Sequence, residues 1–168
     1  KILQFNNPRD AFATAMFYHG IDINTADRND WIKALGYLKD QKDILQGYVN
    51  DEIFNKMTSA SATIAPYFAG DYVTMAADNE DLKFYYPKEG TNVFVDAMCI
   101  PETSTKKDVA KEYINFMLSE EVAVANAIYV GYASPNTLVR ESEEYMDEMG
   151  EDAYDILYGY SYEELNAD

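Results

Sequence analysis

Apolar positions recur along this chain in two periods, and each change of period marks an element. Ile2 to Phe5 is a short apolar run that stops at Asn6-Asn7-Pro8. Ala11, Phe12, Ala15, Met16 and His19 then recur at helical spacing up to Gly20, which predicts a strand, a turn and a helix with Asn7 as N-cap and Pro8 at the first helical position. Asp30 precedes Trp31, Ile32, Leu35 and Leu38, the apolar face of a second helix ending near Gln41. Shorter helices are predicted over 50–57 and around Tyr72–Ala76. Strands are predicted at 63–67, 82–86 and 93–100, the last two separated by Pro87-Lys88-Glu89-Gly90, which is turn chemistry. Residues 107–118 carry a helical period, Ser119 opens a further helix to Val130, and Gly131 closes it. After Pro135 the pattern predicts helix in two pieces divided at Gly150. Strands alternating with helices predict an α/β layered architecture. Four strands are few for a complete doubly wound domain, so part of the sheet is expected to be missing.

Charge narrows the partners. The 168 residues carry 13 Lys and Arg against 30 Asp and Glu, a formal net charge of −17, so nucleic acid finds no basic footprint here. The length fits one domain or two small lobes. Apolar stretches fall well short of the roughly 20 residues that span a bilayer. The opening residues read as a strand and not as a signal peptide, which leaves a cytoplasmic chain or one without its N-terminal part. The single cysteine, Cys99, forms no internal disulfide, and its apolar surroundings predict a buried thiol. The segment from Glu141 to Asp168 holds 11 acidic residues and no Lys or Arg, and reads as a solvated face.

Catalytic motifs are absent: there is no Gly-x-Ser-x-Gly, Walker loop or Gly-rich dinucleotide fingerprint. One histidine, His19, on the apolar face of the first helix, and one cysteine cannot assemble a zinc site, and no calcium-type acidic loop occurs. No cofactor or metal is called for. The informative feature is aromatics beside isolated acids at the ends of elements, in a chain with 15 Tyr and 8 Phe. Tyr67 and Phe68 stand next to Gly70-Asp71, Phe94 stands two residues before Asp96, and Tyr132 follows the helix-ending Gly131. A ring face attracts an organic ammonium for roughly 0.5–2 kcal/mol, and a carboxylate takes its N–H donors. A linear polyamine alternates ammonium groups with methylenes, so acids spaced along an aromatic groove would match it. The same residues also serve as ordinary core and rim residues.

The run Tyr86-Pro87-Lys88-Glu89-Gly90, followed by Phe94-Val95-Asp96 and Ile100-Pro101, resembles a signature of the spermidine/putrescine-binding proteins of ABC transporters. In register behind it, Tyr113-Ile114-Asn115-Phe116-Met117-Leu118 resembles that family's Ile-Asn-Phe-Leu-Leu helix end, and Gly131-Tyr132-Ala133-Ser134-Pro135-Asn136 its Gly-Tyr-x-x-Pro-Asn turn. The resemblance implies a two-lobed α/β fold of the periplasmic-binding-protein type, present here as an incomplete C-terminal portion. Residues 1–88 would then be part of the second lobe, 89–133 would cross the hinge and complete part of the first, and 134–168 would return to the second as an acidic helical tail.

By position, the resemblance makes Phe94 an aromatic wall and Asp96 a carboxylate for an ammonium group. It makes Tyr132 a second wall or hydroxyl contact and Phe68 another stacking ring. Asn7 and Asp10 fall on a pair that is acidic in the best-known polyamine receptors; Asp10 keeps the carboxylate, and Asn7 is neutral. Phe68 and Phe94 stand where tryptophan is common. The implied function is non-enzymatic and extracytoplasmic: capture of putrescine or spermidine in an acidic, aromatic cleft between lobes and delivery to a membrane permease. The protein would be periplasmic or lipid-anchored. Such a portion is also expected to expose sheet edges and to dimerise or swap. The alternatives are a receptor of the same architecture for another solute (an iron complex, thiamine or an amino-acid derivative), an acidic α/β enzyme domain, and an interaction module with an acidic tail.

Overall fold

The computed structural model describes residues 1–159. Its elements run β1 (Ile2–Phe5), α1 (Pro8–Tyr18), α2 (Arg28–Asp40), a 3-10 turn (Gln41–Ile44), β2 (Leu45–Val49), α3 (Glu52–Thr58), α4 (Ala69–Asp78), α5 (Lys107–Met117), α6 (Glu120–Val130), α7 (Thr137–Arg140), α8 (Glu143–Met149) and α9 (Glu151–Tyr158). The chain divides into two compact units, one of residues 1–68 and 75–94, the other of 69–74 and 95 onward. The divisions fall inside α4 and after Phe94.

In the first unit β1 and β2 lie parallel, with Leu3 opposite Gly47 and Phe5 opposite Val49. The connection from β1 to β2 runs through α1 and α2, the crossover a parallel pair needs. Ile64 bridges Ile2 on the other side of β1, and the Leu3 amide donates to the Ile64 carbonyl at 2.9 Å. β1 is therefore flanked on both sides. Leu3 and Phe5 are accordingly buried, packing with Ala11 of α1, Ile53 of α3 and Ala62, while the buried Gln4 amide donates to the Thr14 hydroxyl at 2.9 Å. Asn7 caps α1 as the sequence predicts, its side chain accepting from the Arg9 amide at 3.0 Å, with Pro8 in the first turn. α2 is capped by Asp27, one turn earlier than Asp30 suggests.

Several expected elements differ. β2 escapes the apolar pattern because Leu-Gln-Gly-Tyr-Val is only half-buried and interrupted by glycine. The predicted strand at 63–67 is reduced to the single bridge at Ile64. The predicted strands at 82–86 and 93–100 are absent. Strand propensity needs a neighbour to complete the ladder, and the ladder and isolated bridge among the described residues involve β1, β2 and Ile64. Val93, Phe94, Val95 and Met98 are consequently half-exposed or more. Cys99, expected to be buried, lies exposed on the same segment.

The second unit is helical. α6 buries Ala123, Val124 and Ala127 against Val139 of α7 and Tyr145 of α8, with Met149, Tyr154 and Tyr158 around them. Gly131 ends α6 in the left-handed region at φ 74°, as a C′ glycine does. The stretch after Pro135 forms three helices where two pieces are predicted, since Asn136 caps the extra turn of α7 by accepting from the Leu138 amide. Gly150 divides α8 from α9 as expected. Residues 160–168, the end of the predicted acidic tail, lie outside the described residues.

Candidate functional site

In the first unit the candidate residues gather at the carboxyl ends of β1 and β2, where open α/β sheets bind ligands. The Asn6 amide donates to the Val49 carbonyl at 2.9 Å, so the turn into α1 leaves directly over the strand ends. Asn7 is exposed there. Asp10 sits in the first turn of α1 and is buried, and its Oδ1 accepts from Asn92 Nδ2 at 3.1 Å. The helix N-terminus favours its negative charge. The Phe5 ring at the end of β1 lies 5.3 Å from Phe68, and Phe68 lies 5.4 Å from Phe94, edge to face at 71°. Tyr67 extends the cluster at 5.4 Å from Phe68. Phe94 remains 50% exposed, so its free face is available to a ligand. The structure thus brings together Asn7, Asp10, Phe68 and Phe94, tied through Asn92, which the sequence reading does not single out.

In the second unit Tyr132 follows Gly131 at the end of α6 and donates its hydroxyl to Asp71 Oδ2 at 2.6 Å. Asp71 occupies the first turn of α4. The ring lies flat over the α4 backbone because residue 70 is glycine: a Cβ there would collide with Cδ2, Cε2 and Cγ of Tyr132. Behind the ring, Tyr145 donates to the Tyr132 carbonyl at 3.1 Å. Asp71 is present in the sequence reading only as an acid beside Tyr67 and Phe68, yet its partner is Tyr132, 61 residues away. Asp96 stands exposed on the irregular segment.

Neutral groups hold both ordered acids. Among the described residues the ion pairs join Lys33 to Asp30, Lys107 to Glu102 and Lys111 to Asp108, and none engages Asp10, Asp71 or Asp96. An amide or a phenol orients a carboxylate without cancelling its charge, which leaves that charge for a cationic ligand. No group of three or more potential metal ligands occurs among the described residues, and no described helix is long and apolar enough to cross a membrane. His19, expected on the apolar face of its helix, is exposed at the end of α1, its ring stacked 3.4 Å from that of Tyr37. It lines a separate cavity of about 570 Å³ with Tyr18, Tyr37 and Asp40, and none of the six candidate residues reaches that cavity.

The chain is similar to known proteins over most of its length. It is 26% identical over 136 residues to the putrescine-binding periplasmic protein PotF of Escherichia coli, a match covering 77% of this chain and 37% of that protein. It is 26% identical over 140 residues to the spermidine/putrescine-binding periplasmic protein of Salmonella typhimurium, covering 83% and 40%. The chain therefore spans about two fifths of the length of these relatives. Among solved structures, the spermidine/putrescine ABC transporter substrate-binding protein PotD of Streptococcus pneumoniae superposes with a TM-score of 0.74 at 29% identity, covering 94% of this chain and 48% of that one. The α/β fold is that of the substrate-binding proteins. A family model described as bacterial extracellular solute-binding protein matches residues 1–155, and the chain belongs to that family.

Proposed function

We propose that this chain contributes polyamine-binding residues to the extracytoplasmic substrate-binding component of an ABC transporter, which captures putrescine or spermidine and hands it to a membrane permease. The observation that carries this reading is that Asp10 and Asp71 are each fixed by a neutral donor and each accompanied by aromatic rings. A diammonium ligand needs separated carboxylates for its ends and ring faces for its methylenes and cationic edges. Asp10 in the first unit has Phe68 and Phe94 for ring faces, and Asp71 in the second unit has Tyr132, each unit being taken by itself. Asp96, exposed and charged, is a third acid in this reading, and Asn7 a neutral contact beside Asp10. The names of the relatives and of the solved neighbour support the ligand class.

In the same reading the chain crosses between two lobes within 89–133. The division after Phe94 supports that crossing. The protein works by binding and release, without turnover. The test is calorimetric titration of putrescine and spermidine into this chain and into the product of its complete gene, with zwitterionic amino acids as the comparison. A saturable heat of binding with polyamines only is the expected result. Binding of zwitterions and not of polyamines would overturn the ligand class, since the clustered residues offer no cation for a carboxylate.

A further inference from the structure

The core of the second unit contains a hydroxyl that packing alone does not require. Tyr145 is fully buried beneath α6 and α7. Phenylalanine would fill the same space without an oxygen to satisfy, and a buried hydroxyl without a partner is costly. The Tyr145 oxygen finds its partner in the Tyr132 carbonyl, 3.1 Å away. A second tyrosine does the same two residues further on: Tyr158 accepts from the Ser134 amide at 3.0 Å and lies 3.3 Å from the Ser134 carbonyl, to which it donates. The two rings meet edge to face, 6.3 Å apart at 83°. Tyr154, the third ring of the cluster, turns its hydroxyl away from the turn to the Arg140 carbonyl.

From this arrangement we infer that Tyr145 and Tyr158 are positioning residues that clamp the main chain of the Gly131–Ser134 turn and so fix the Tyr132 phenol against Asp71. The inference rests on the reading above that the Tyr132–Asp71 pair belongs to the ligand site. The turn needs such a clamp. It begins at a glycine in the left-handed region, with more conformational freedom than other residues, and Tyr132 must lie flat over Gly70 for its hydroxyl to reach Asp71 at 2.6 Å. A small rotation of the turn would lengthen that bond. Burial first and the neighbouring Tyr158 hydroxyl second push the Tyr145 phenol above the usual tyrosine range, which favours its protonated, donating form. Recognition by the second unit is thus coupled to helices α8 and α9, which hold none of the candidate site residues.

The test compares Tyr145→Phe, Tyr158→Phe and Tyr154→Phe, which keep the ring packing and delete one oxygen each. The hydroxyl proton of Tyr132, held by a carboxylate, should exchange slowly in proton NMR of the parent chain. Its exchange should accelerate at least several-fold in Tyr145→Phe and Tyr158→Phe and stay unchanged in Tyr154→Phe. Putrescine affinity should fall roughly three- to tenfold in Tyr145→Phe, the effect of one neutral hydrogen bond, and the fall should vanish when Tyr132 is already phenylalanine. Unchanged exchange in both clamp variants, or equal acceleration in Tyr154→Phe, would overturn the inference. Should Tyr145→Phe not fold, Tyr158→Phe carries the comparison. Absence of polyamine binding by the parent protein would remove the proposed function, while hydroxyl exchange would still decide the clamp.

Discussion

The two ordered acids are held in different ways. Asp10 is tethered by Asn92, and its aromatic company, Phe68 and Phe94, belongs to a separate chain of stacked rings that starts in the core at Phe5. Asp71 is tethered by Tyr132 itself, so that one residue is both the donor to the acid and its ring. In the first unit, acid and aromatics are therefore separate residues, joined along the chain through Asn92. In the second, they stand or fall together, and Gly70 beneath the ring and Tyr145 behind it support the same group.

The largest effect expected from this difference is at residue 70. Gly70→Val places a branched side chain where the Tyr132 ring lies, and displacing that ring removes wall and tether in one step. Overpacking of this kind typically costs about 1–3 kcal/mol, and polyamine binding should fall below detection by calorimetry. Gly47→Ala is the counterpart in the first unit: nothing lies within 4 Å of its added Cβ, so denaturant unfolding and binding should both stay close to those of the parent. Equal binding by both variants would mean that the Tyr132 ring is not part of the site.

Next in size are the acids. Asp71→Asn and Asp10→Asn keep shape and remove charge, and each should weaken putrescine binding by about 1.5–3 kcal/mol, the range for hydrogen bonds to charged groups. The comparison sharpens in the double variant. If each acid takes one ammonium end, the two losses add within a few tenths of a kcal/mol, as for separated sites. A double variant no worse than either single one would assign both acids to the same ammonium group.

How far the site could be read from sequence followed the range of the interactions. Asn7 as a cap, Gly131 as a helix end and Gly150 as a divider depend on neighbours within one turn, and each stands where the pattern puts it. The strands at 82–86 and 93–100 had the right local composition, but a strand is completed by a partner far along the chain, and the ladder among the described residues joins β1 and β2. Cys99 is exposed for the same reason. Phe94 and Tyr132 stand beside the motifs that carry the resemblance and Phe68 and Asp10 follow by position alone, whereas Asn92 is not singled out, since its bond to Asp10 spans 82 residues. Asp71 was visible as an acid near rings, but the ring that matters was not the adjacent one.

A smaller loss separates tether from charge. Asn92→Ala leaves the Asp10 carboxylate in the first turn of α1 but frees its orientation. Removing one hydrogen bond should weaken putrescine binding by about 0.5–1.5 kcal/mol, less than Asp10→Asn. Phe94 follows Asn92 by two residues on an irregular segment, so its exposure should also respond. Quenching of tyrosine and phenylalanine emission by acrylamide would not resolve that ring, but proton NMR contacts between Phe94 and Phe68 would, and they should weaken together with affinity.

The smallest predicted effect is a gain. Asn7 caps α1 through its side-chain oxygen, and aspartate caps a helix about as well, so Asn7→Asp should leave α1 and the unfolding midpoint nearly unchanged. The added carboxylate would stand exposed in the same turn as Asp10, near the partial positive charge of the helix N-terminus, which offsets part of the repulsion between the two acids. A cationic ligand would then meet two acids in the first unit in place of one. Because the new group is solvated and screened by salt, the gain for spermidine should be modest, about 0.3–1 kcal/mol, larger at low ionic strength and smaller as salt rises. Asp71 in the second unit should be indifferent to the change, so the same substitution made in Asp71→Asn ought to give the same increment. An increment that disappears without Asp71 would show that the two acid sets are coupled through the ligand, and the independence argued for them would have to be given up.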